Sequence, residues 1–280
     1  MFKVVLPTDF SENAFHALAY ALKLLQDHTC RFYLVHTYTP PIYRVDYTLG
    51  SPGQLGLPDV QRNSVEETLE DTIKTIKPLS NPAKHTFVSH AAFNTLAEEM
   101  DSISHKEGVD FIVMGTQGAT GAMEILFGSN TVQVIQKSAV PVLVIPNDFE
   151  YEPPRNILFP TDYEVDYQKA HLDFLLKFSK LEHSKLHILH ISSPEGLDEG
   201  QINQKVRLEG KLLEHNHEFY DLPDQELIPA INAFQEKHPV ELLVMVKNKH
   251  SFLERLFLDP VIKKIGLYSK VPFMVLPYTT

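Results

Sequence analysis

Short apolar runs recur along the chain, and segments with helical periodicity separate them. In the first half, the apolar runs are Val4–Leu6, Phe32–Val35, Thr86–Val88, Phe111–Met114 and Val142–Ile145. Short and nearly continuous apolar runs are typical of strands that are buried on both faces of a parallel sheet. Because helical segments lie between them, the alternation predicts an α/β fold with helices on both faces of the sheet.

The predicted helices begin at polar residues that are typical of helix starts. Ser11 or Asp9 is the candidate N-cap of the first helix. The second helix is predicted over Ser64–Ile76, because its first four residues read S-x-x-E, and the third over Leu96–Lys106. Thr39–Val60 carries four prolines and three glycines. So long a connection predicts either a lid over a ligand or a mobile surface loop.

The order of elements repeats from Asn156 onward. The matching segments, first-half copy first, are Val4–Thr8 and Ile157–Thr161, Phe32–His36 and Leu186–His190, Phe111–Gly115 and Leu242–Val246, and Val140–Pro146 and Val271–Pro277. In both copies the first strand leads into Pro-Thr-Asp. The repeat predicts two tandem open five-stranded parallel sheets, in domains 1–146 and 155–280, joined by the polar linker Asn147–Pro154.

A glycine-bearing loop follows the fourth predicted strand. Gly115 and Gly118 come directly after that strand, and after nine further residues Gly128, Ser129 and Asn130 lead into a helical pattern. Glycines let backbone N–H groups approach an anion, and the first turn of a helix offers unpaired N–H donors. The loop therefore predicts a phosphate site, with turn glycines that hold no ligand as the alternative.

Any phosphate at this loop must be held without basic side chains. The spacing matches neither G-x-x-x-x-G-K-[ST] nor G-x-G-x-x-G, and no Lys or Arg lies between Glu107 and Gln136. Backbone amides, hydroxyl groups or a metal ion would hold the anion. Ligands of open parallel sheets bind beyond the carboxyl ends of the strands. Asp9, His36-Thr37 and Gly115 each follow or end such a strand, so we expect them to face one crevice.

The second half lacks these features. The residues aligned with Gly115, Gly118, Gly128, Ser129 and Asn130 are Val246, Lys249, Leu258, Asp259 and Pro260. A Cβ blocks close backbone approach, proline removes a donor and an aspartate repels phosphate, so no similar nucleotide site is expected there. A basic cluster stands in this region, comprising Lys247, Lys249, Arg255, Lys263 and Lys264. A solvated basic face is the favoured interpretation, and a weak anion site is the alternative.

Composition and charge narrow the class of protein. With 280 residues, 43% hydrophobic and 22% charged, the chain is typical of a globular protein of about two domains. No apolar run approaches the roughly 20 residues of a membrane span, and the first residues do not form a signal peptide. Cys30 is the only cysteine and is expected to pack, which favours a reducing cytoplasm. The net charge of −11 argues against a nucleic-acid partner.

Neither metal binding nor catalysis is predicted. The chain has 14 histidines, and His215 and His217 share one face of a strand, but no H-E-x-x-H or cysteine pair accompanies them. We expect His36 and His190, which end equivalent strands, to form buried hydrogen bonds that steady the sheet edge. The predicted crevice contains no nucleophile–base pair and no paired carboxylates, so we expect no enzyme, or at most weak hydrolysis of a bound nucleotide.

The motifs together resemble the universal stress protein family, in its tandem two-domain form. They are Pro-Thr-Asp after the first strand, Gly115-x-x-Gly118, Gly128-Ser129 after nine residues, and the closing Val-Pro-Val-Leu-Val-Ile-Pro. The resemblance is specific in the first half and only architectural in the second. It implies strand order 3-2-1-4-5 in each sheet. It also implies pairing of the two halves through their last strands as a pseudo-dimer within one chain, with a further homodimer possible.

The resemblance also implies a ligand and its contacts. ATP, with or without Mg²⁺, would lie across the carboxyl ends of strands one and four. Asp9 would contact the ribose or a phosphate-bound metal, and the backbone around Thr37 would pair with adenine. The implied cofactor-binding residues are Thr8, Asp9, Thr37, Gly115, Gly118, Gly128, Ser129 and Asn130.

We therefore expect a cytoplasmic stress-response protein that binds ATP or a related adenine nucleotide in its first half as a regulatory ligand. The second half would be a degenerate copy that is structural or binds an unknown protein partner. One alternative is an interaction protein with no physiological nucleotide. Another is a slow ATPase or phosphotransfer enzyme.

Overall fold

A computed structural model describes residues 1–38, 57–116, 128–147, 149–192, 196–223, 226–247 and 271–278. These ranges form ten strands and seven α-helices. In the first half they are β1 (Phe2–Pro7), α1 (Glu12–Leu24), β2 (Cys30–Tyr38), α2 (Leu57–Ile76), β3 (His85–Phe93), α3 (Leu96–Glu107), β4 (Phe111–Gly115), α4 (Ser129–Lys137) and β5 (Val142–Ile145). In the second half they are β6 (Asn156–Thr161), α5 (Leu172–Leu181), β7 (Lys185–Ser192), α6 (Glu199–Leu212), β8 (His217–Pro223), α7 (Leu227–Lys237), β9 (Leu242–Val246) and β10 (Phe273–Leu276).

The strands form one ten-stranded sheet, in the order β3-β2-β1-β4-β5-β10-β9-β6-β7-β8. Within each half all neighbouring strands are parallel and the order is 3-2-1-4-5, which confirms the predicted fold class. The two five-stranded sheets are not separate, because β5 and β10 pair antiparallel, with Val144 opposite Phe273. The two sets of strands therefore run in opposite directions, and their carboxyl ends lie on opposite sides of the sheet.

Both hydrophobic layers of the sheet extend across the two halves. One layer joins residues of α1, α2, α5 and α6, among them Leu18, Leu69 and Leu175. The other joins residues of α3, α4 and α7, among them Ile135 and Ile231. The strands are almost continuously apolar because both of their faces are covered in this way.

The predicted start of the second helix at Ser64 is wrong. Helix α2 begins at Leu57, and the Ser64 carbonyl inside it accepts a hydrogen bond of 2.8 Å from the Thr68 hydroxyl. The S-x-x-E pattern is therefore an interior, solvent-exposed part of the helix, and Pro58 stands in the first turn, where proline is tolerated. Residues 39–56 of the candidate lid lie outside the described residues.

Helix α5 of the second half packs against strands of the first half. Its Phe174 ring lies 5.2 Å from the Phe111 ring, and the Lys177 ammonium lies 4.9 Å above the Phe2 ring. Just beyond its end, Glu182 lies 3.7 Å from His28, and the Glu182 side chain is only 12% exposed. Burial raises the pKa of the Glu182 carboxyl to about 7, with Arg155 opposing the shift and Asp27 adding to it. The contact between the halves thus contains a carboxyl group that is costly to ionise.

This burial predicts a pH-dependent effect of Glu182→Gln. Because the folded-state pKa lies above the ordinary value of 4.5, the contribution of Glu182 to stability is fully present below pH 4.5 and is lost as the pH rises through 7. Glu182→Gln should raise the free energy of unfolding at pH 8, by on the order of 2 kcal/mol, and leave it unchanged near pH 4.5. Denaturant unfolding across this pH range measures the difference.

The exposed pair Lys180–Glu214 provides the control, since the Glu214 side chain is 85% exposed. Glu214→Gln should show no such pH-dependent gain. If the free energy of unfolding differs between Glu182→Gln and the natural chain by the same amount from pH 4.5 to 8, the raised pKa of Glu182 is contradicted.

Candidate functional site

A crevice of about 250 Å³ lies at the carboxyl ends of β1, β2 and β4. Seven of the eight residues predicted to bind a cofactor line it: Thr8, Asp9, Thr37, Gly115, Gly128, Ser129 and Asn130. The eighth, Gly118, lies outside the described residues. His36, which the sequence also predicts to face this crevice, lines it as well. Sequence reasoning had not assigned five further lining residues to it: Pro7, Ala14, Leu96, Met114 and Thr131. Among the described lining residues no Lys or Arg occurs, as the sequence predicts.

The turn between β1 and α1 is built around the Asp9 carboxylate. Ser11 is the N-cap, since its hydroxyl oxygen accepts from the Ala14 N–H at 3.2 Å. Asp9 is not the cap: its Oδ1 accepts from the Ser11 N–H at 3.1 Å and from the Ser11 hydroxyl at 2.6 Å. These bonds fix the carboxylate at the exposed rim of the crevice.

His36 links the end of β2 to this turn. Its Nδ1 lies 2.7 Å from the Thr8 carbonyl oxygen, and its ring stacks on Phe10 with 4.6 Å between ring centroids. Phe10 adopts the left-handed conformation with φ 64°, and the Thr8 hydroxyl oxygen accepts from its N–H at 3.0 Å. The predicted hydrogen bond of His36 at the end of β2 is present, but the side chain is half-buried and not buried as expected.

The second half repeats this turn almost atom for atom. His190 Nδ1 lies 3.0 Å from the Thr161 carbonyl oxygen, and its ring packs on Tyr163 with 4.6 Å between centroids. Tyr163 has φ 57°, and its N–H donates to the Thr161 hydroxyl at 3.1 Å. The turn is therefore part of the fold in both halves. The segment around α4 therefore bears more directly on whether the first crevice holds a ligand.

Gly115 lies close against a neighbouring side chain. A Cβ at this buried position would lie 2.7–2.8 Å from the side-chain amide atoms of Asn13, in the first turn of α1. Sequence reasoning assigned Gly115 to backbone approach of a ligand and missed Asn13. Only the fold brings Asn13 onto the end of β4, because nothing in the spacing of the glycines indicates that contact.

The start of α4 has the properties of an anion site. The Gly128 N–H is already engaged, since it donates to the Thr116 carbonyl at 2.7 Å and closes the base of the loop. The Thr131 hydroxyl braces the same base by donating to the Gly115 carbonyl at 3.1 Å. Helix α4 has no side-chain cap and no acidic residue in its first turn. Its first amides, at Ser129 and Asn130, have no intrahelical acceptors and carry partial positive charge at the crevice, which both residues line.

The corresponding turn of the second half is covered by its own side chains. Tyr167 is fully buried, and its hydroxyl contacts the Thr161 hydroxyl. From α6, the Gln201 amide donates to the Asp162 carbonyl at 3.0 Å and Gln204 accepts from the Tyr167 N–H at 3.4 Å. Lys249, Leu258, Asp259 and Pro260 lie outside the described residues.

The favoured interpretation of the basic cluster is wrong for Lys247. Instead of lying on a solvated face, its ammonium donates to the carbonyls of Gln136 and Ser138 in the first half. This contact was invisible in the sequence because the two segments lie in different halves. Lys249, Arg255, Lys263 and Lys264 lie outside the described residues.

The remaining cysteine and histidine candidates are buried or hydrogen-bonded within the fold. Cys30 is buried at the start of β2, and burial raises the pKa of its thiol to about 12. His217 Nδ1 lies 2.8 Å from the His215 carbonyl oxygen, whereas the His215 ring contacts Ser179. In the described part of the chain, no three His, Cys, Asp or Glu residues are grouped to hold a metal ion. Across the same ranges, no helix has the length and apolarity needed to cross a membrane.

An open parallel sheet with a crevice beyond its first and fourth strands defines an α/β protein of the doubly wound class, whose members bind ligands at that position of the sheet. The sequence model of the universal stress protein family matches residues 1–146. The chain belongs to this family.

Individual relatives support the same assignment. A universal stress protein of Methanocaldococcus jannaschii is 33% identical over 153 residues, covering 51% of this chain and 93% of the relative. One from Synechocystis sp. is 24% identical over 302 residues, covering 98% of this chain and 99% of the relative. The crystal structure of a universal stress protein from Archaeoglobus fulgidus has the same fold, with TM-score 0.64 and 20% identity, covering 99% of this chain and 96% of that chain.

The contact between Gly115 and Asn13 yields a stability prediction. Gly115→Ala should lower the free energy of unfolding by about 1–3 kcal/mol, because the added methyl group overpacks the site. In an Asn13→Ala background the same substitution should cost under about 0.5 kcal/mol, which a double-mutant cycle by denaturant unfolding measures.

Gly210→Ala is the control, since nothing lies within 4 Å of a Cβ at that helical position. It should be neutral or stabilising by up to about 1 kcal/mol. An equal cost of Gly115→Ala in both backgrounds would show that Asn13 is not the reason for glycine.

Proposed function

We propose that this protein binds ATP or a related adenine nucleotide in the crevice of its first half, as a regulatory ligand in a stress response. The observation that carries the proposal is the start of α4: uncapped, free of carboxylates and facing the crevice that β1 and β4 form. Family membership and the glycines that the resemblance assigns to ATP point to the same ligand class.

The lining residues suit the parts of a nucleotide. The amides of Ser129 and Asn130 and the Ser129 hydroxyl are donors for phosphate oxygens. Asp9 is the charged side chain among the described lining residues, and its carboxylate accepts hydrogen bonds from ribose hydroxyls. If phosphates lie near Asp9, its charge requires Mg²⁺ as a counter-ion. The backbone at Thr37 is left to pair with the base.

We further propose that the nucleotide is sensed rather than turned over. His36, the one histidine among the described lining residues, is engaged with the Thr8 carbonyl and stacked on Phe10. It is therefore not placed as a free general base. No second carboxylate accompanies Asp9 among the described lining residues. These features favour a binding protein over an enzyme. We propose that it acts in the cytoplasm and that its second half is structural or contacts a partner.

A charge reversal at the start of α4 tests the binding proposal. Mg-ATP should bind the natural chain in calorimetry, and Ser129→Asp should weaken binding at least about tenfold, because a carboxylate would replace the phosphate at the helix terminus. Aspartate at this helix position stabilises the helix itself. Lost binding would therefore not report unfolding.

Ser102→Asp adds the same charge at an exposed position on α3 and should leave the affinity within about twofold. Absence of binding by the natural chain at millimolar Mg-ATP would refute the nucleotide proposal and favour the interaction protein without a nucleotide.

Single-turnover measurements test whether the protein hydrolyses the bound nucleotide. With protein in excess over radiolabelled ATP, phosphate release should equal that of the buffer blank, because no described lining residue is placed to activate water. A release rate well above the blank that Asp9→Asn abolishes would instead support the slow ATPase.

A further inference from the structure

Lys247 stands at the carboxyl end of β9 in the second half, and its side chain contacts the first half. It follows β9 directly, at the position that Thr116 holds after β4, and the two backbone N–H groups make equivalent bonds, to Leu276 and Ile145 carbonyls. Because β5 and β10 are antiparallel, the carboxyl ends of the second-half strands lie beside the C-terminal end of α4. The Lys247 side chain spans this boundary.

The Lys247 ammonium caps the C-terminal end of α4. Its Nζ donates to the Gln136 carbonyl at 3.0 Å and to the Ser138 carbonyl at 2.9 Å. The last carbonyls of a helix have no intrahelical donors and carry partial negative charge. A lysine that supplies donors and positive charge there stabilises that end of the helix. Burial lowers the pKa of Lys247, and Asp101 opposes the shift, so the ammonium is partly removed from water to reach these acceptors.

Helix α4 is therefore bonded to the first half at its N-terminal end, and the second half contacts it at its C-terminal end. Its N-terminal end is fixed within the first half by Gly128 and Thr131, which bond the carbonyls at the end of β4. With nine residues it spans roughly 14 Å, at about 1.5 Å per residue. A helix this short moves as a rigid element, so a displacement at its C-terminal end is transmitted to the amides of Ser129 and Asn130.

We propose that Lys247 is a positioning residue, through which the second half holds α4 and sets the affinity of the first crevice for phosphate groups. This inference rests on the proposed function, because it assigns a ligand to the start of α4. It gives the second half a role in ligand binding, although the glycine positions of its own crevice carry larger residues.

The first test needs no ligand. Hydrogen exchange measured by mass spectrometry on peptides covering residues 129–138 should be faster in Lys247→Met than in the natural chain. Lys137→Met is the matched control: it removes the exposed lysine in the last turn of α4, which pairs with Glu98 of the first half. This control should change exchange in α4 much less. Unchanged exchange in Lys247→Met would overturn the proposal, whether or not nucleotide binds.

The second test separates positioning from general destabilisation. Lys247→Met should weaken Mg-ATP binding by about three- to thirtyfold, the range typical of coupling between sites, and leave adenosine binding within about twofold, because only phosphates reach α4. Lys247→Arg, which keeps the cation and its donors, should restore most of the ATP affinity. Equal losses for ATP and adenosine, or unchanged ATP affinity, would overturn the proposal.

The two readouts also distinguish the failure of this inference from the failure of the proposed function. No ATP binding by the natural chain refutes the nucleotide and with it the role of Lys247 in affinity, whatever the exchange rates. Binding by the natural chain with equal affinity in Lys247→Met refutes only the positioning role.

Discussion

The antiparallel pairing of β5 with β10 is the constraint on which the rest of the structure depends. It joins two parallel sheets edge to edge, so that both hydrophobic layers continue from one half into the other. It also places the carboxyl ends of the two strand sets on opposite sides of one sheet. The loops at the crevice rim of one half therefore lie beside the helix C-termini of the other. The contact of Lys247 with α4 follows from this arrangement, and the contact of Glu182 with His28 is a further link between the two halves.

The two halves of the chain share the turn after their first strand and differ in the residues that surround it. The left-handed aromatic residue, the threonine that accepts its N–H and the histidine that bonds the threonine carbonyl recur in both halves. Such a turn is a property of the fold and does not by itself indicate a ligand. In the first half it opens onto the uncapped start of α4, whereas in the second Tyr167 and the glutamines of α6 cover it. The functional assignment therefore depends on the surroundings and not on the shared Pro-Thr-Asp.

Sequence patterns were sufficient for the architecture and for most of the crevice, because buried strands and glycine positions leave local signals. The strand runs, the repeat and seven of the residues that line the crevice could be identified in this way. What failed depended on contacts between distant segments or on competing local signals. Ser64 looked like a helix start although α2 begins at Leu57. Nothing in the sequence indicated the contacts of Asn13 and Lys247, because their partners are brought to them only by the folded sheet.

Two equivalent positions, one directly after β4 and one directly after β9, make different contacts in the two halves. Thr116 and Lys247 stand at equivalent backbone positions, and their N–H groups bond equivalent carbonyls. The Thr116 carbonyl accepts from Gly128 and closes the base of a loop within its own half, whereas the long Lys247 side chain reaches across the boundary to carbonyls at the end of α4. A second half that lacks the glycines still supplies a donor at the far end of the helix whose near end faces the crevice. This contact between the second half and α4 does not require a ligand in the second half.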